Sequence, residues 1–287
     1  SNPRIYNPFM PELPEVEVTR LGIAPHLEGR RISAVKIIDG RLRWPVLSNL
    51  NTLLSGQKVL GIERRGKYLL MELEAGHLLL HLGMTGTLRV LPSTDLLKPH
   101  DRVTFEFGKL SLRLHDPRKF GAVLWHSKSK GPIENNVLLQ KLGVEPFSSE
   151  FEGELGADVL YQCSRKRSVA VKQFLLAGQA VVGVGNIYCS ESLFEAGIHP
   201  AKAAGKLTRP QCSRLAAAVR LILKKAIAAG GSTLKDFVNS EGDPGHFMVQ
   251  TKVYDRKDQP CKVCKTPIKQ IVQGQRSTYF CPQCQKR

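Results

Sequence analysis

The chain has 287 residues, 42% of them hydrophobic, which is enough for a substantial core arranged in one to three domains. Its 42 Lys and Arg against 25 Asp and Glu give a net charge of +17, a balance that favours a polyanionic partner through counterion release. No run of about 18 uncharged apolar residues occurs and no basic-then-apolar order opens the chain, so neither a membrane span nor export is expected, and the placement read is cytoplasmic.

Ser1 to Met10 read as a leader or cloning remnant. From Glu12 to about Leu27, Leu13, Val16, Arg20 and Leu21 stand at helical spacing before Gly29, predicting a short helix. From Ile32 to about His126 the period becomes two. Val103, Phe105 and Phe107 alternate before Gly108-Lys109, and Leu110, Leu112 and Leu114 alternate after it, which is a hairpin signature. Further strands are expected over 57–64, 67–74, 77–82 and 85–91, making an antiparallel sandwich or barrel over 11–130. Residues 131–150 read as a linker. Helices are then expected over Ser164–Ala177, Asn186–Ala196 and Thr208–Ala229, each closed by glycine, the last opened by a Thr208/Gln211 capping box with Pro210 in its first turn. They belong to a helical region over 151–253, followed by a basic, cysteine-bearing tail over 254–287.

Cys261-Lys-Val-Cys264 and Cys281-Pro-Gln-Cys284, sixteen residues apart, have the spacing of two knuckles forming one tetrahedral four-cysteine zinc site. Two disulfides are the alternative, disfavoured by a reducing compartment and by seven cysteines that cannot all pair. Four thiolates leave no open coordination position, so the zinc is structural. Cys163, Cys189 and Cys212 fall in helical stretches and are expected to be buried. Between the knuckles, Arg276 stands at a hairpin tip that the metal would hold rigid, suited to a phosphate or a lesion.

Pro11-Glu12-Leu13-Pro14-Glu15-Val16-Glu17 follows Met10 directly. Removal of Met10 would leave Pro11 with a free secondary amine, a nucleophile that gives a charged iminium on attacking a sugar C1′. The helix that follows directs its positive end at this nitrogen and disfavours the ammonium form. Glu12 would stand beside it as proton donor and acceptor. A Pro-Glu-rich helix start with acids at the favourable dipole end is the plainer reading of the same residues.

Taken with Arg-Arg-Gly-Lys67-Tyr, His-Leu-Gly-Met84-Thr-Gly, Asp-Pro-Arg118-Lys-Phe120-Gly, Gly-Val-Gly-Asn186-Ile-Tyr and the knuckles, this segment resembles the bacterial formamidopyrimidine-DNA glycosylases over residues 11 to 287. The resemblance implies an α+β chain: an antiparallel β-sandwich with an N-terminal helix, a helix-two-turns-helix domain and a C-terminal four-cysteine zinc finger. It implies base-excision repair of double-stranded DNA, removal of 8-oxoguanine and formamidopyrimidines, and a nick at the abasic site by β,δ-elimination through a Schiff base. It carries Pro11 over as the nucleophile, Glu12 as acid and base, Lys67 as proton donor in β-elimination and Arg276 in δ-elimination, where a guanidinium suits a phosphate clamp better than an acid. Met84, Arg118 and Phe120 would fill the gap left by the everted nucleotide. His100, Lys166 and Asn186 would contact the DNA backbone. One structural zinc, no organic cofactor, a monomer and a nucleoid-associated, cytoplasmic location complete the expectation.

Residues 230 to 253 would form a loop over the everted purine. That loop, and Leu13 after Glu12, favour the purine enzyme over an endonuclease VIII-like pyrimidine glycosylase. With Ser1 to Met10 retained, Pro11 is an amide without an available lone pair, which leaves a non-catalytic damaged-DNA binding protein as the other alternative.

Overall fold

The computed structural model describes residues 10–230 and 250–287, so residues 1–9 of the expected leader and most of the expected loop over 230–253 lie outside the described residues. Two compact units are present. The first runs to Gln140, and the second takes in Lys141–Ala228 and the C-terminal residues.

In the first unit, helix α1 covers Leu13–Leu27. Its buried stripe is Leu13, Val16, Ile23 and Leu27, with Arg20 at the intervening position, its guanidinium on the Glu17 carboxylate at 2.6 Å. Leu21, expected on that stripe, is 38% exposed because it lies about 100° further round the helix than Arg20. The expected strands form as β2 (Val59–Arg65), β3 (Tyr68–Leu73), β4 (Gly76–His81), β5 (Thr87–Pro92), β6 (Asp101–Phe107) and β7 (Leu110–His115). Strands β1 (Ala34–Ile37) and β8 (Ala122–Ser127) and the one-turn helix α2 (Leu50–Leu54) join them. Pairing is antiparallel, in two four-stranded sheets ordered β1-β6-β7-β5 and β2-β3-β4-β8.

Val35, Val103, Phe105, Leu112 and Leu114 of one sheet share a core with Ile62, Leu69, Met71, Leu78 and Leu80 of the other and with α1, so the unit is a sandwich and not a barrel. The β6–β7 hairpin turns at Gly108-Lys109 as its alternation predicts, pairing Phe107 with Leu110. Its second face is also buried. There Glu106 accepts from Thr104 and Ser111, while Arg113 donates to the Ser93, Asp95 and Leu96 carbonyls and so holds the loop after β5 across the sheet.

The second unit contains α3 (Glu154–Ser164), α4 (Val171–Leu176), α5 (Asn186–Ala196) and α6 (Arg209–Gly230). The single helix expected over Ser164–Ala177 is not formed: α3 ends where it should begin, and α4 starts seven residues later. Tertiary hydrogen bonds override local propensity here. Arg165 donates to the carbonyls of Tyr161 and Leu207, Lys166 turns out at φ 59, and the Arg167 and Val169 carbonyls accept from Gly205 and Ala204. By contrast α5 ends at a left-handed Gly197, and the Thr208/Gln211 capping box is made in both directions, at 3.3 and 2.9 Å. Cys189 and Cys212 are buried, but Cys163 is exposed, off the α3 face of Ala157, Leu160 and Ser164. Strands β9 (Lys269–Gln273) and β10 (Arg276–Phe280) close the chain as a hairpin whose turn residues Gly274 and Gln275 both have positive φ.

Candidate functional site

Pro11 immediately precedes α1. Glu12 is its N-cap, 2% exposed, and its backbone N–H donates to the Glu15 carboxylate at 2.9 Å. A nitrogen at position 11 and the Glu12 carboxyl therefore stand at the positive end of a fifteen-residue helix. The helix is tied to the sheet through Glu17, which accepts from Arg64 on β2 at 2.9 Å, and Arg64 also donates to the Gly66 carbonyl at 3.1 Å. Gly66 and Lys67 form the two-residue turn between β2 and β3, where Gly66 has φ 59.

Lys67 acts electrostatically on His81, one strand away. Burial, and then the charges of Lys67 and Arg43, push the His81 imidazole down to about 4, so it is neutral near pH 7. Its ring packs tilted against Tyr68 at 4.8 Å, and its Nδ1 accepts from the Gly83 N–H at 3.0 Å, which fixes the tautomer.

Met84 lies in the turn between β4 and β5, Arg118 and Phe120 in the segment between β7 and β8, and the two turns adjoin. Arg118 and Phe120 are exposed, Phe120 by 44%, with the guanidinium 5.1 Å from the ring centroid. A large ring left in solvent under a cation is poor packing for a core and suitable for insertion into a base stack. His100 sits at φ 75, its Nδ1 3.1 Å from Arg102. Arg102 also donates to the Asp116 and Pro117 carbonyls and pairs with Asp39, which in turn holds Lys119 at 2.6 Å.

In the second unit Asn186 is the first residue of α5, with Gly185 as N-cap. Its Nδ2 donates to the Ser277 carbonyl on β10 at 2.9 Å, which orients the side chain at the helix opening, where the anion field lies. Arg276 is exposed at the start of β10 beside the Gly274-Gln275 turn. Lys166 is exposed in its left-handed turn after α3.

The four cysteine sulfurs lie within 4.8 Å of one another, with Cys261–Cys284 at 3.9 Å and Cys264–Cys281 at 3.4 Å. A tetrahedron of sulfurs about 2.3 Å from zinc has edges of about 3.8 Å, so the set fits a metal ion. Backbone N–H groups of Val263 and Cys284 donate to the sulfurs of Cys261 and Cys281, as suits thiolate ligands. This is a structural metal site.

Family models match along nearly the whole chain: the formamidopyrimidine-DNA glycosylase N-terminal domain over residues 10–123, its H2TH domain over 142–238, and a zinc finger found in FPG and IleRS over 258–287. The formamidopyrimidine-DNA glycosylase of Polynucleobacter necessarius is 86% identical over 97% of this chain and 100% of its own. The chain belongs to the formamidopyrimidine-DNA glycosylase family. A Lactococcus lactis formamidopyrimidine-DNA glycosylase bound non-covalently to DNA containing an abasic site superimposes with a TM-score of 0.83, at 30% identity, over 96% of this chain and 100% of that one. The wild-type L. lactis enzyme in complex with N7-benzyl-Fapy-dG DNA gives 0.85 at 32% identity with the same coverage. The formamidopyrimidine-DNA glycosylases are DNA glycosylases and abasic-site lyases of base-excision repair, and this membership disfavours both the endonuclease VIII-like and the non-catalytic readings.

Several residues of this glycosylase escape sequence reasoning. Lys172 on α4 is wholly buried, and its Nζ has no hydrogen-bond partner among the described residues. Burial above all, and also the charge of Arg276, pushes its amine below the ordinary lysine range. Its sequence neighbourhood, Val-Lys172-Gln-Phe, reads as a plain amphipathic turn. Asp116 and Glu191, both buried carboxylates, accept several backbone N–H bonds that no sequence pattern encodes.

Proposed function

We propose that the chain removes oxidised purines, 8-oxoguanine and ring-opened formamidopyrimidines, from double-stranded DNA and then cuts the strand at the abasic site. The carrying observation is Glu12, buried as the N-cap of α1 beside Pro11. A free secondary amine at position 11 has a lone pair, and the helix field disfavours its protonation. The amine attacks C1′ as the C1′–base bond breaks. The base leaves with the proton lost from nitrogen; the C1′–O4′ bond then opens as O4′ takes a proton, and the ring-opened sugar remains joined to Pro11 as an iminium.

The iminium makes the C2′ protons acidic. Loss of one with departure of the 3′ phosphate is β-elimination, and a second elimination releases the 5′ phosphate. Glu12 is the group that gives and takes protons at the sugar, Lys67 donates at the first elimination, and Arg276 stabilises the phosphate charge that develops at the second. Met84, Arg118 and Phe120 occupy the gap left by the everted nucleotide. His100, Lys166 and the opening of α5 at Asn186 meet backbone phosphates.

Zinc is the metal suited to four thiolates; it would hold Cys261, Cys264, Cys281 and Cys284 together and so fix the hairpin that carries Arg276. The protein acts as a monomer on chromosomal DNA in the cytoplasm; among the described residues no helix is long and apolar enough to cross a membrane.

Borohydride trapping on an 8-oxoguanine:cytosine duplex tests the nucleophile. The chain beginning at Pro11 should give a covalent adduct, and the chain retaining residues 1–10 should give none. Equal trapping by both, or tight binding with no adduct from either, would remove Pro11 from the role.

A further inference from the structure

Asp116 is wholly buried at the exit of β7. One of its carboxylate oxygens accepts from Thr85 Oγ1 at 2.9 Å and from the Lys119 N–H at 3.2 Å, and the other accepts from the Gly121 N–H at 2.8 Å. Thr85 Oγ1 in turn accepts from the Arg118 N–H at 3.2 Å. One carboxylate and one hydroxyl thus connect the residue after Met84 to the backbone on both sides of Phe120.

Two glycines let the turns approach this closely. A Cβ on Gly83, whose φ is 59, would lie 2.4 Å from the Phe120 carbonyl carbon, and one on Gly121 would lie 2.8 Å from the Asp116 carboxylate and from the His81 carbonyl. Outside, Arg118 and Phe120 are exposed, so packing does not hold them. Their backbone is set by hydrogen bonds, and those to a buried carboxylate are the strong ones.

We propose that Asp116, through Thr85, is a positioning residue that locks the Met84 turn and the Arg118–Phe120 turn into one rigid piece, so that the gap-filling side chains enter the duplex as a unit. This rests on the assignment of Met84, Arg118 and Phe120 to the gap. The physical reason is precision: side chains on two independent loops drift apart, and a misplacement of about 1 Å is enough to cost about 100-fold in a reaction that depends on their placement.

The test avoids the chemistry at Pro11. A duplex carrying an uncleavable tetrahydrofuran abasic analogue opposite cytosine, with 2-aminopurine beside it, reports unstacking by a rise in fluorescence. Asp116→Asn and Thr85→Val should slow or reduce that rise about tenfold. Affinity for undamaged duplex should stay close to wild type in both, as should the melting temperature of Thr85→Val, whereas Asp116→Asn, which places an amide donor against other donors, should melt lower; Thr85→Ser should restore the signal. Phe120→Ala is the reference and should abolish it.

If Phe120→Ala is slow but folded Asp116→Asn and Thr85→Val match wild type, the positioning role is overturned. The same holds if they lose undamaged-duplex binding in equal proportion, which is what general destabilisation gives. A normal signal from Phe120→Ala would instead remove the gap-filling assignment, and this inference with it. Should Asp116→Asn not fold, Thr85→Val decides alone, because it deletes a single hydroxyl.

Discussion

Arg64 Nε donates to the Glu17 carboxylate across 2.9 Å, joining the helix capped by Glu12 to the strand that ends one residue before the Gly66-Lys67 turn. Both side chains are largely shielded, 10% and 15% exposed. Burial alone would raise the Glu17 carboxyl, but Arg20 and Arg64 outweigh it and hold the carboxyl below its ordinary value. Glu17→Gln should therefore lower the unfolding free energy by about 1–3 kcal/mol in urea titrations at pH 7. A carboxyl depressed in the folded state stabilises above its unfolded pKa and loses that stabilisation as pH falls. The gap between wild type and variant should close in acid; a gap that persists there would mean the ion pair is not its source.

His81 predicts a second, separable pH effect. Its imidazole is pushed down to about 4, first by burial and then by Lys67 and Arg43, against an unfolded value near 6.5. The unfolded chain thus binds the extra proton between those values, so stability rises with pH through that window and is fully present above it. The span corresponds to at most about 3 kcal/mol. His81→Asn should flatten the dependence of urea stability between about pH 4 and 6.5. An unchanged slope would show that other groups carry it.

The elements that were legible are those whose signal is local. The β6–β7 hairpin follows from alternation around Gly108-Lys109, α5 from its closing glycine, the start of α6 from the Thr208/Gln211 box, and the metal site from two four-residue knuckles. What failed depends on distant partners. Arg165 bonds the Leu207 carbonyl, forty-two residues away, and so breaks the helix expected at 164–177. Strand β1 is too short to show a period, and its place is set by pairing with β6. Residue type and motif singled out Pro11, Glu12, Lys67, Arg118 and Arg276 as candidates, but assigned no role to the buried carboxylates. A buried Asp that accepts backbone N–H bonds has no periodicity and no characteristic spacing.

Glu191 is such a carboxylate, and its substitution should be costly. On α5 it is 4% exposed and accepts from three successive backbone N–H groups, of Lys252, Val253 and Tyr254, at 2.8, 3.0 and 2.9 Å. These residues lead into the finger, whose small core includes Val253 and Phe194 of α5. Glu191→Gln places an amide donor against other donors and should cost about 2–3 kcal/mol. The loss should appear locally, as faster amide exchange at residues 252–254 with the sandwich amides unchanged. Uniform acceleration across both units would contradict a local anchor.

Metal removal should follow the same boundary. Among the described residues the finger's core is Val253, Cys261, Ile268, Tyr279 and Cys281 with Phe194, and Tyr254, Cys264 and Cys284 partly buried against them, too little apolar surface to order the β9–β10 hairpin without the cross-link of four thiolates. Chelation, or Cys264→Ser, should release the metal and dissolve the Tyr254–Tyr279 ring contact at 5.1 Å, read as loss of near-ultraviolet dichroism, while the β-sandwich keeps its melting transition. Because Arg276 sits on that hairpin, DNA affinity should fall and its dependence on salt should become shallower by about one phosphate contact. Retention of the full salt slope after the metal has gone would mean that Arg276 meets no phosphate, and would return it to the status of a solvated surface residue.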